Sequence, residues 1–206
     1  VGFKLFDLID EVDQFLQQIA NTQPCEKFSY QQLFLHYTHL DPLTCTLDDL
    51  REYIQSSKLS FTSLEQLSFD DLLEIILGQI IEPHLGFNQP TIIYHFPASQ
   101  AALSQISKDN PKVSERFEVY LNGMELANGF QELTDSMEQT KRFHYENSLR
   151  ARQNLEMIPL DHNFLAALEH GLPNCSGVAL GIDRLIMCVT QCNKISDVIS
   201  FPIDRA

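Results

Sequence analysis

Apolar residues recur every three or four positions near the start of the chain. The positions are Leu5, Leu8, Ile9, Val12, Phe15, Leu16 and Ile19. Acidic and glutamine residues occupy most of the positions between them, so one face of the segment Phe3–Ile19 is apolar and the other is polar. A period of about 3.6 residues predicts an amphipathic helix that packs its apolar face against a core.

Further helices are indicated by residues that favour helix starts. Ser29 precedes a short helical pattern, and Gln32 stands three residues later, as in a capping box. Thr46 and Ser68 occupy equivalent positions before two more helical patterns. We therefore interpret the region 41–83 as a helical insertion with polar linkers.

The rest of the chain mixes strand and helix patterns. Pro90–Phe96 is rich in β-branched and aromatic residues and predicts a strand, whereas Asn21–Lys27 is typical of a loop. Helices are predicted over about Met137–Asn154 and over Phe164–His170. Val198–Phe201 predicts a last short strand.

A β-hairpin is predicted in the middle of the chain. Two alternating runs, Phe117–Leu121 and Met124–Phe130, flank Asn122-Gly123. Asn-Gly between such runs is a strong hairpin signal, because a type I′ turn needs positive φ at both central residues.

The hairpin brings two acidic residues together. With the residues next to the turn paired, Tyr120 faces Glu125 and Glu118 faces Ala127. Glu118 and Glu125 then share one face as diagonal neighbours, about 7–8 Å apart. Like charges this close repel unless a cation lies between them, and Mg²⁺ takes such oxygen ligands together with waters and phosphates. Two solvated carboxylates on an exposed sheet face are the alternative.

A glycine-containing motif follows downstream, Gly177-Val-Ala-Leu-Gly181-Ile-Asp-Arg184. It predicts a short apolar strand, a glycine that lets the backbone approach a ligand, and a helix opened by Asp183. Arg184 suits a phosphate, because its guanidinium stays charged and can bind two oxygens at once. Alternatively, Gly181 serves helix packing, and Arg184 pairs with Asp183 or Glu132.

Composition narrows the classes of function. The 206 residues are enough for one domain with a core. The net charge of −14 opposes nucleic-acid binding, which needs clustered basic residues. No apolar run approaches the length of a membrane span, and no signal-peptide pattern is present. The five scattered cysteines are interpreted as reduced thiols, so we expect a cytoplasmic location.

These motifs resemble the catalytic domain of class II aminoacyl-tRNA synthetases of the lysyl type. The residues that carry the resemblance are Glu118, the run Glu125-Leu-Ala-Asn-Gly-Phe-Gln-Glu-Leu133 and the glycine motif Gly177–Arg184. Within that group, Tyr94–Gln100, Glu125–Phe130 and Cys175–Gly181 look most like the paralogues that attach (R)-β-lysine to elongation factor P. The resemblance covers essentially the whole chain.

The resemblance implies an α+β fold, with an antiparallel β-sheet flanked by helices, in a single domain over residues 1–206. This domain would be the C-terminal part of a class II catalytic domain, truncated at its N-terminus. The family's first motif, a dimer contact, and its second motif, with an arginine that grips the ATP phosphates, would lie upstream of Val1. We therefore expect a homodimeric full-length protein and little catalysis by the 206-residue chain alone.

The resemblance also implies ATP as a substrate and Mg²⁺ as a cofactor. Glu118 and Glu125 would bind the Mg²⁺ ion. Glu125, Leu126, Gly181 and Arg184 would bind ATP, and Arg184 would act in catalysis by contacting the phosphates.

A lysine-like substrate would be bound by Glu132, whose carboxylate the family places against the substrate amine. Asn128 would be a neutral hydrogen-bonding partner, and Gly177 would line the same pocket. Strict alternation sends Glu132 to the face opposite Glu125. A bulge that returns Glu132 to the face of Glu125 is therefore needed, and Gly129 could host it.

One position departs from the lysyl-tRNA synthetase pattern, because Ala179 stands where those enzymes have glycine. The extra methyl group narrows the pocket, a change worth about 1–3 kcal/mol of discrimination. Alanine at this position agrees with the pattern of the protein-modifying paralogues. The expected function is activation of (R)-β-lysine or lysine and transfer to a lysine side chain of elongation factor P, with no tRNA bound. A lysyl-tRNA synthetase domain and a non-catalytic binding module are the alternatives.

Overall fold

One mixed β-sheet positions the rest of the molecule. The protein is represented by a computed structural model that describes residues 1–57, 59 and 64–203. In this part of the chain the sheet has five strands, in the order β1-β2-β3-β4-β5. They are β1 (Glu26–Ser29), β2 (Thr91–Tyr94), β3 (Arg116–Leu121), β4 (Met124–Gln131) and β5 (Ser176–Leu180).

The predicted α+β class is confirmed, but the predicted antiparallel sheet needs a correction. β1 pairs with β2 in parallel, and only the other neighbours are antiparallel. β1 begins inside Asn21–Lys27, which we predicted as a loop. Four residues without alternation carry no local strand signal, and the strand exists because its backbone pairs with β2. The predicted strand Val198–Phe201 is also wrong, since that segment has no strand pairing.

The helices lie where the hydrophobic pattern places them. They are α1 (Leu5–Ile19), α2 (Tyr30–Thr38), α3 (Leu47–Ser56), α4 (Phe69–Ile76), α5 (Ser136–Arg152), α6 (His162–His170) and α7 (Ile182–Thr190). A π-helical turn, Leu77–Ile81, and a 3₁₀ turn, Glu82–His84, continue α4. Residues 58 and 60–63 of the predicted insertion lie outside the described residues. Among those described, no helix combines the length and apolar character of a membrane span.

The predicted caps of α2, α3 and α4 are present, whereas α7 begins at Ile182 after Gly181 and is not opened by Asp183 as predicted. The Ser29 hydroxyl accepts a hydrogen bond from the Gln32 amide over 3.1 Å, and the Gln32 side chain accepts one from the Ser29 amide over 2.8 Å. Thr46 and Ser68 cap α3 and α4 in the same way. Asp135 likewise accepts hydrogen bonds from two amides in the first turn of α5. Each cap satisfies amides that have no partner within the helix.

The two sheet faces carry separate cores. Glu118 and Tyr120 of β3 share one face with Ile93 of β2, which we call the Glu118 face. Helices α2 to α4 pack on its β2–β3 half, around Ile93 and Tyr120. On the opposite face, α1 and α7 pack against Phe117 and Val119. The Glu118 face remains partly open over β4 and β5, where Asn128 is half-buried and Ala179 is exposed.

Candidate active site

The hairpin turn has the predicted geometry. Asn122 and Gly123 have φ values of 54° and 71°, both positive as a type I′ turn requires. Next to the turn, Tyr120 faces Glu125 as predicted. Glu118 and Glu125 therefore project from the same face of the sheet.

A β-bulge then shifts the register by one residue. Val119 faces Ala127 and Glu118 faces Asn128, so Leu126 is the extra residue. The predicted pairing of Glu118 with Ala127 is wrong for this reason. The bulge changes the sheet face to which the later residues of β4 point, as the prediction for Glu132 required. It lies at Leu126, however, and not at Gly129 as we expected.

Gly129 has a packing role instead. A Cβ added there would overlap the ring of Phe117 on the neighbouring strand. Phe117 is fully buried, so the ring has no room to move. Glycine at this position is therefore required by the core beneath the sheet.

Glu118 is buried, and both of its carboxylate oxygens accept hydrogen bonds. Only 6% of the residue is exposed. Its Oε1 accepts hydrogen bonds from Arg116 Nη2 over 2.5 Å and from Asn128 Nδ2 over 3.1 Å, and its Oε2 accepts one from the Tyr120 hydroxyl over 2.5 Å. Burial raises the pKa of Glu118, while Arg116 and the Tyr120 hydrogen bond act in the opposite direction. A buried carboxylate is tolerated because of these partners.

Arg116 was missed by the sequence reasoning. Its Nη1 donates a hydrogen bond to the Gln100 carbonyl over 2.8 Å, and its guanidinium lies 4.5 Å above the centroid of the Phe96 ring. These contacts hold the cation beside Glu118. The available signal was its position two residues before Glu118 in an alternating strand, which places both side chains on one face.

Tyr120 joins Glu118 to a second carboxyl group. Its hydroxyl is 2.9 Å from Glu82 Oε1, in addition to its contact with Glu118. Burial raises the pKa of Tyr120, so the hydroxyl keeps its proton. One proton cannot serve two carboxylates, so both contacts are hydrogen bonds only if one carboxyl is protonated. Burial raises the pKa of Glu82, and the Arg116 guanidinium favours the ionised form of Glu118.

Arg184 lies against Glu125. Its Nη1 donates a hydrogen bond to the Glu125 carbonyl over 2.7 Å and lies 3.6 Å from the Glu125 carboxylate. This pairing replaces the alternatives with Asp183 and Glu132. Arg116 and Arg184 thus stand next to the two carboxylates, so their repulsion does not by itself require a metal ion. The Arg184 and Glu125 side chains are 48% and 38% exposed, which leaves both accessible to a ligand.

Gly181 joins the start of α7 to the bulge. Its amide donates a hydrogen bond to the Leu126 carbonyl over 2.8 Å. An added Cβ would lie 3.6 Å from Arg184 Cδ and from the Leu126 carbonyl oxygen, which is ordinary contact. Within the described chain, helix packing therefore does not require glycine here. Close approach of a ligand to this backbone remains our interpretation.

The remaining predicted residues line the adjoining part of the face. Asn128 pairs with Ala179 across β4 and β5, and Phe130 pairs with Gly177. A Cβ added at Gly177 would overlap the carboxylate of Glu132, so these two are in contact. Burial raises the pKa of Glu132. Phe130 was not predicted, although its alternation with Asn128 places it on this face.

A cleft and one orphaned atom make this region a candidate ligand site. The cleft has a volume of about 380 Å³ and runs from Glu125 and Asn128 past Ala179 to Gly181 and Arg184. The Asn128 Oδ1 atom is buried and has no hydrogen-bond partner among the described residues. A buried acceptor of this kind is costly unless a ligand donor reaches it.

The carboxylates fit a cation that arrives with a nucleotide. Among the described residues, Glu118 Oε2 accepts one hydrogen bond and so keeps a free lone pair, while Glu125 is partly exposed. No cluster of three or more His, Cys, Asp or Glu side chains in residues 1–57, 59 and 64–203 could hold a metal. Mg²⁺ commonly takes only one or two carboxylates and completes its shell with waters and phosphates.

Comparison with known proteins identifies the family of this chain. The sequence model of the family described as "tRNA synthetases class II (D, K and N)" matches residues 5–205. The elongation factor P–(R)-β-lysine ligase of Proteus mirabilis is 50% identical over 204 residues, which are 99% of this chain and 63% of that protein. The ligase of the same name from Haemophilus ducreyi is 49% identical, over 99% of this chain and 62% of its own length.

A third relative, the ligase of the same name from Salmonella typhi, is 48% identical over 99% of this chain and 63% of its own length. The chain thus spans about 63% of the length of such relatives. Nearly all of its own length is matched by the family model. The chain therefore belongs to the class II tRNA synthetases of the D, K and N group.

Proposed function

We propose that the full-length protein activates (R)-β-lysine or lysine with ATP and transfers the acyl group to a lysine side chain of elongation factor P. The observation that carries this proposal is the grouping of Glu118, Glu125, Asn128 and Ala179 on one sheet face beside Arg184. The names of the relatives, at 47–50% identity, support the choice of substrate and acceptor.

In the first step, a carboxylate oxygen of the amino acid bonds to the α-phosphorus of ATP, and the bond to the β-phosphate oxygen breaks. The products are an aminoacyl-adenylate and pyrophosphate. No protein nucleophile takes part, so the protein acts by positioning the reactants and by stabilising charge. Arg184 is the exposed cation at the cleft, and its guanidinium suits the phosphates as they gain charge.

Glu118 and Glu125 would hold Mg²⁺ in this arrangement. The ion would supply positive charge that offsets the negative charge of the phosphates. Glu118 contributes a carboxylate oriented by three neighbours, whereas Glu125 contributes an accessible one. The Leu126–Gly181 hydrogen bond would present this backbone to the adenosine part of ATP.

Asn128 and Glu132 would bind the substrate amine. The orphaned Asn128 Oδ1 supplies an acceptor, and the half-buried Glu132 supplies charge beside Gly177. In the second step the lysine ε-amine of the acceptor attacks the acyl carbon, and AMP leaves. The net charge of −14 favours a basic protein acceptor over tRNA. A cytoplasmic location and a homodimer remain parts of this proposal.

The decisive experiment compares acceptors and amino acids in the full-length protein. ATP–pyrophosphate exchange is measured with (R)-β-lysine and with α-lysine, and transfer of labelled amino acid is then measured to elongation factor P and to tRNA. We expect exchange with (R)-β-lysine and label on elongation factor P. Label on tRNA alone would favour a lysyl-tRNA synthetase, and absence of exchange would favour a binding module. Glu125→Gln should abolish exchange, whereas the exposed control Glu169→Gln should not.

A further inference from the structure

The segment Glu82–Gly86 is fastened to the turn of the hairpin. The amides of Asn122 and Gly123 donate hydrogen bonds to the Gly86 and Leu85 carbonyls, over 2.9 and 2.8 Å. Gly86 has a φ of +76°, and an added Cβ would lie 2.6 Å from the Leu121 Cα. The backbone approaches so closely that only glycine fits. Glu82 therefore has a defined position relative to β3.

The hydroxyl of Tyr120 connects Glu82 to Glu118. Its ring is buried in the core under α2 to α4, with 1% of the residue exposed, so the hydroxyl cannot turn toward solvent. The hydroxyl lies between Glu82 Oε1 at 2.9 Å and Glu118 Oε2 at 2.5 Å. Contacts on both sides of the hydroxyl fix the position of its oxygen beside Glu118 Oε2.

The two oxygens of Glu118 are held by different groups. Oε1 is held by Arg116 and Asn128, and Oε2 is held by Tyr120. Among the described residues, Tyr120 is the one hydrogen-bond donor to Oε2, so this oxygen of Glu118 keeps a free lone pair. The orientation of this oxygen therefore depends on the Tyr120 hydroxyl, which depends in turn on its other partner.

We propose that Glu82 is a positioning residue that orients the candidate metal ligand Glu118 through the hydroxyl of Tyr120. It would couple the helical region that ends in the turn Glu82–His84 to the nucleotide site. The metal-binding part of this inference rests on the proposed function. The hydrogen-bonded link itself does not, so two separate measurements test it.

The first measurement is Mn²⁺ binding to the full-length protein with a non-hydrolysable ATP analogue, followed by electron paramagnetic resonance. Loss of an outer partner of a metal ligand typically weakens binding 10–100-fold. We expect Glu82→Leu and Tyr120→Phe each to raise the Mn²⁺ dissociation constant about tenfold, and the double variant to be no weaker than Tyr120→Phe alone. Glu82→Gln should bind within about twofold of wild type, because an amide can also form a hydrogen bond with the hydroxyl. Glu52→Leu, on the exposed side of α3, is the control.

The second measurement is a thermal-unfolding cycle without metal. The melting-temperature shift of the double variant with Glu82→Leu and Glu118→Gln should differ by about 2–4 °C from the sum of the two single shifts. In a protein that also carries Tyr120→Phe, the melting-temperature shifts of the same two substitutions should add. Additive melting shifts with Tyr120 present would overturn the link, and so would wild-type Mn²⁺ affinity in Glu82→Leu. If the wild-type protein binds no Mn²⁺ with the analogue, the metal role in the proposed function fails, and the unfolding cycle alone decides the link.

Discussion

Asn128 lies directly opposite Glu118 in the hairpin and donates a hydrogen bond to its carboxylate over 3.1 Å. This contact exists because Leu126 is bulged out of the strand pairing. Without the bulge, Glu118 would face Ala127, whose methyl group offers no donor. The bulge therefore joins the candidate metal site and the candidate amine site through a single amide side chain.

Asn128→Ala should weaken binding of the amino acid. The variant removes both the donor to Glu118 and the orphaned acceptor Oδ1, and such losses cost about 1–3 kcal/mol each. We expect kcat/KM for lysine to fall by about tenfold or more in ATP–pyrophosphate exchange, with the protein still folded. Asn163→Ala, on the exposed surface of α6, is the matched control. An unchanged kcat/KM would show that Asn128 does not contact the substrate.

Gly177→Ala should displace the Glu132 carboxylate, because the new methyl group would overlap it. The end of a flexible side chain can move away, so stability should change little. We expect the KM for lysine to rise about tenfold while the KM for ATP stays unchanged. In a Glu132→Ala background the added methyl should have no further effect. A second rise in KM there would mean that Gly177 acts on another group.

Gly129→Ala should destabilise the fold without a specific effect on the site. The added Cβ would overlap the fully buried ring of Phe117, and overpacking of this kind costs about 1–3 kcal/mol. The free energy of unfolding can be measured with urea. Gly181→Ala is the control, since its Cβ would meet its neighbours at 3.6 Å. Equal losses in both variants would contradict the packing role of Gly129.

Ala179→Gly should relax the choice between (R)-β-lysine and α-lysine. Ala179 faces Asn128 across the sheet, so its methyl group lies at the amino-acid pocket. Removing a methyl from a pocket is worth about 1–3 kcal/mol of discrimination. We expect the ratio of exchange rates to shift toward α-lysine by about tenfold, with the KM for ATP as internal control. An unchanged ratio would locate the specificity elsewhere.

Asp13→Asn should destabilise the protein in a pH-dependent way. Burial acts to raise the pKa of Asp13, but hydrogen bonds from the Cys25 amide and from Gln17, with the charge of Lys27, outweigh it and lower the pKa. A lowered folded-state pKa stabilises the protein above the unfolded-state pKa, and the benefit is lost as pH falls through the folded-state value. The substitution should cost about 1–3 kcal/mol near neutral pH.

The stability difference between Asp13→Asn and wild type should shrink as the pH is lowered through the acid range. Urea unfolding at several pH values measures it. Asp48→Asn changes a side chain that is 90% exposed and should show no such trend. A difference that is independent of pH would mean that the charge of Asp13 does not contribute.

Local signals were sufficient for most of the fold. The capping residues Ser29 and Gln32 determine where α2 begins, and Asn122-Gly123 determines the turn of the hairpin. These features depend on interactions over a few residues, so the sequence alone specifies them. They also place Glu118 and Glu125 on one face, because the residue pair next to the turn determines the sheet face to which the nearby residues of both strands point.

What only the tertiary structure decided involves residues far apart in the sequence. β1 is a strand because β2 lies beside it, and Leu126 is bulged because β3 and β5 set the register on either side of it. The link from Glu82 to Tyr120 spans 38 positions. Such contacts depend on how separate elements pack, and no pattern within one segment encodes the distance between two of them. The sequence thus determined which groups reach the candidate site, and the packing of the whole sheet determined what holds each of them there.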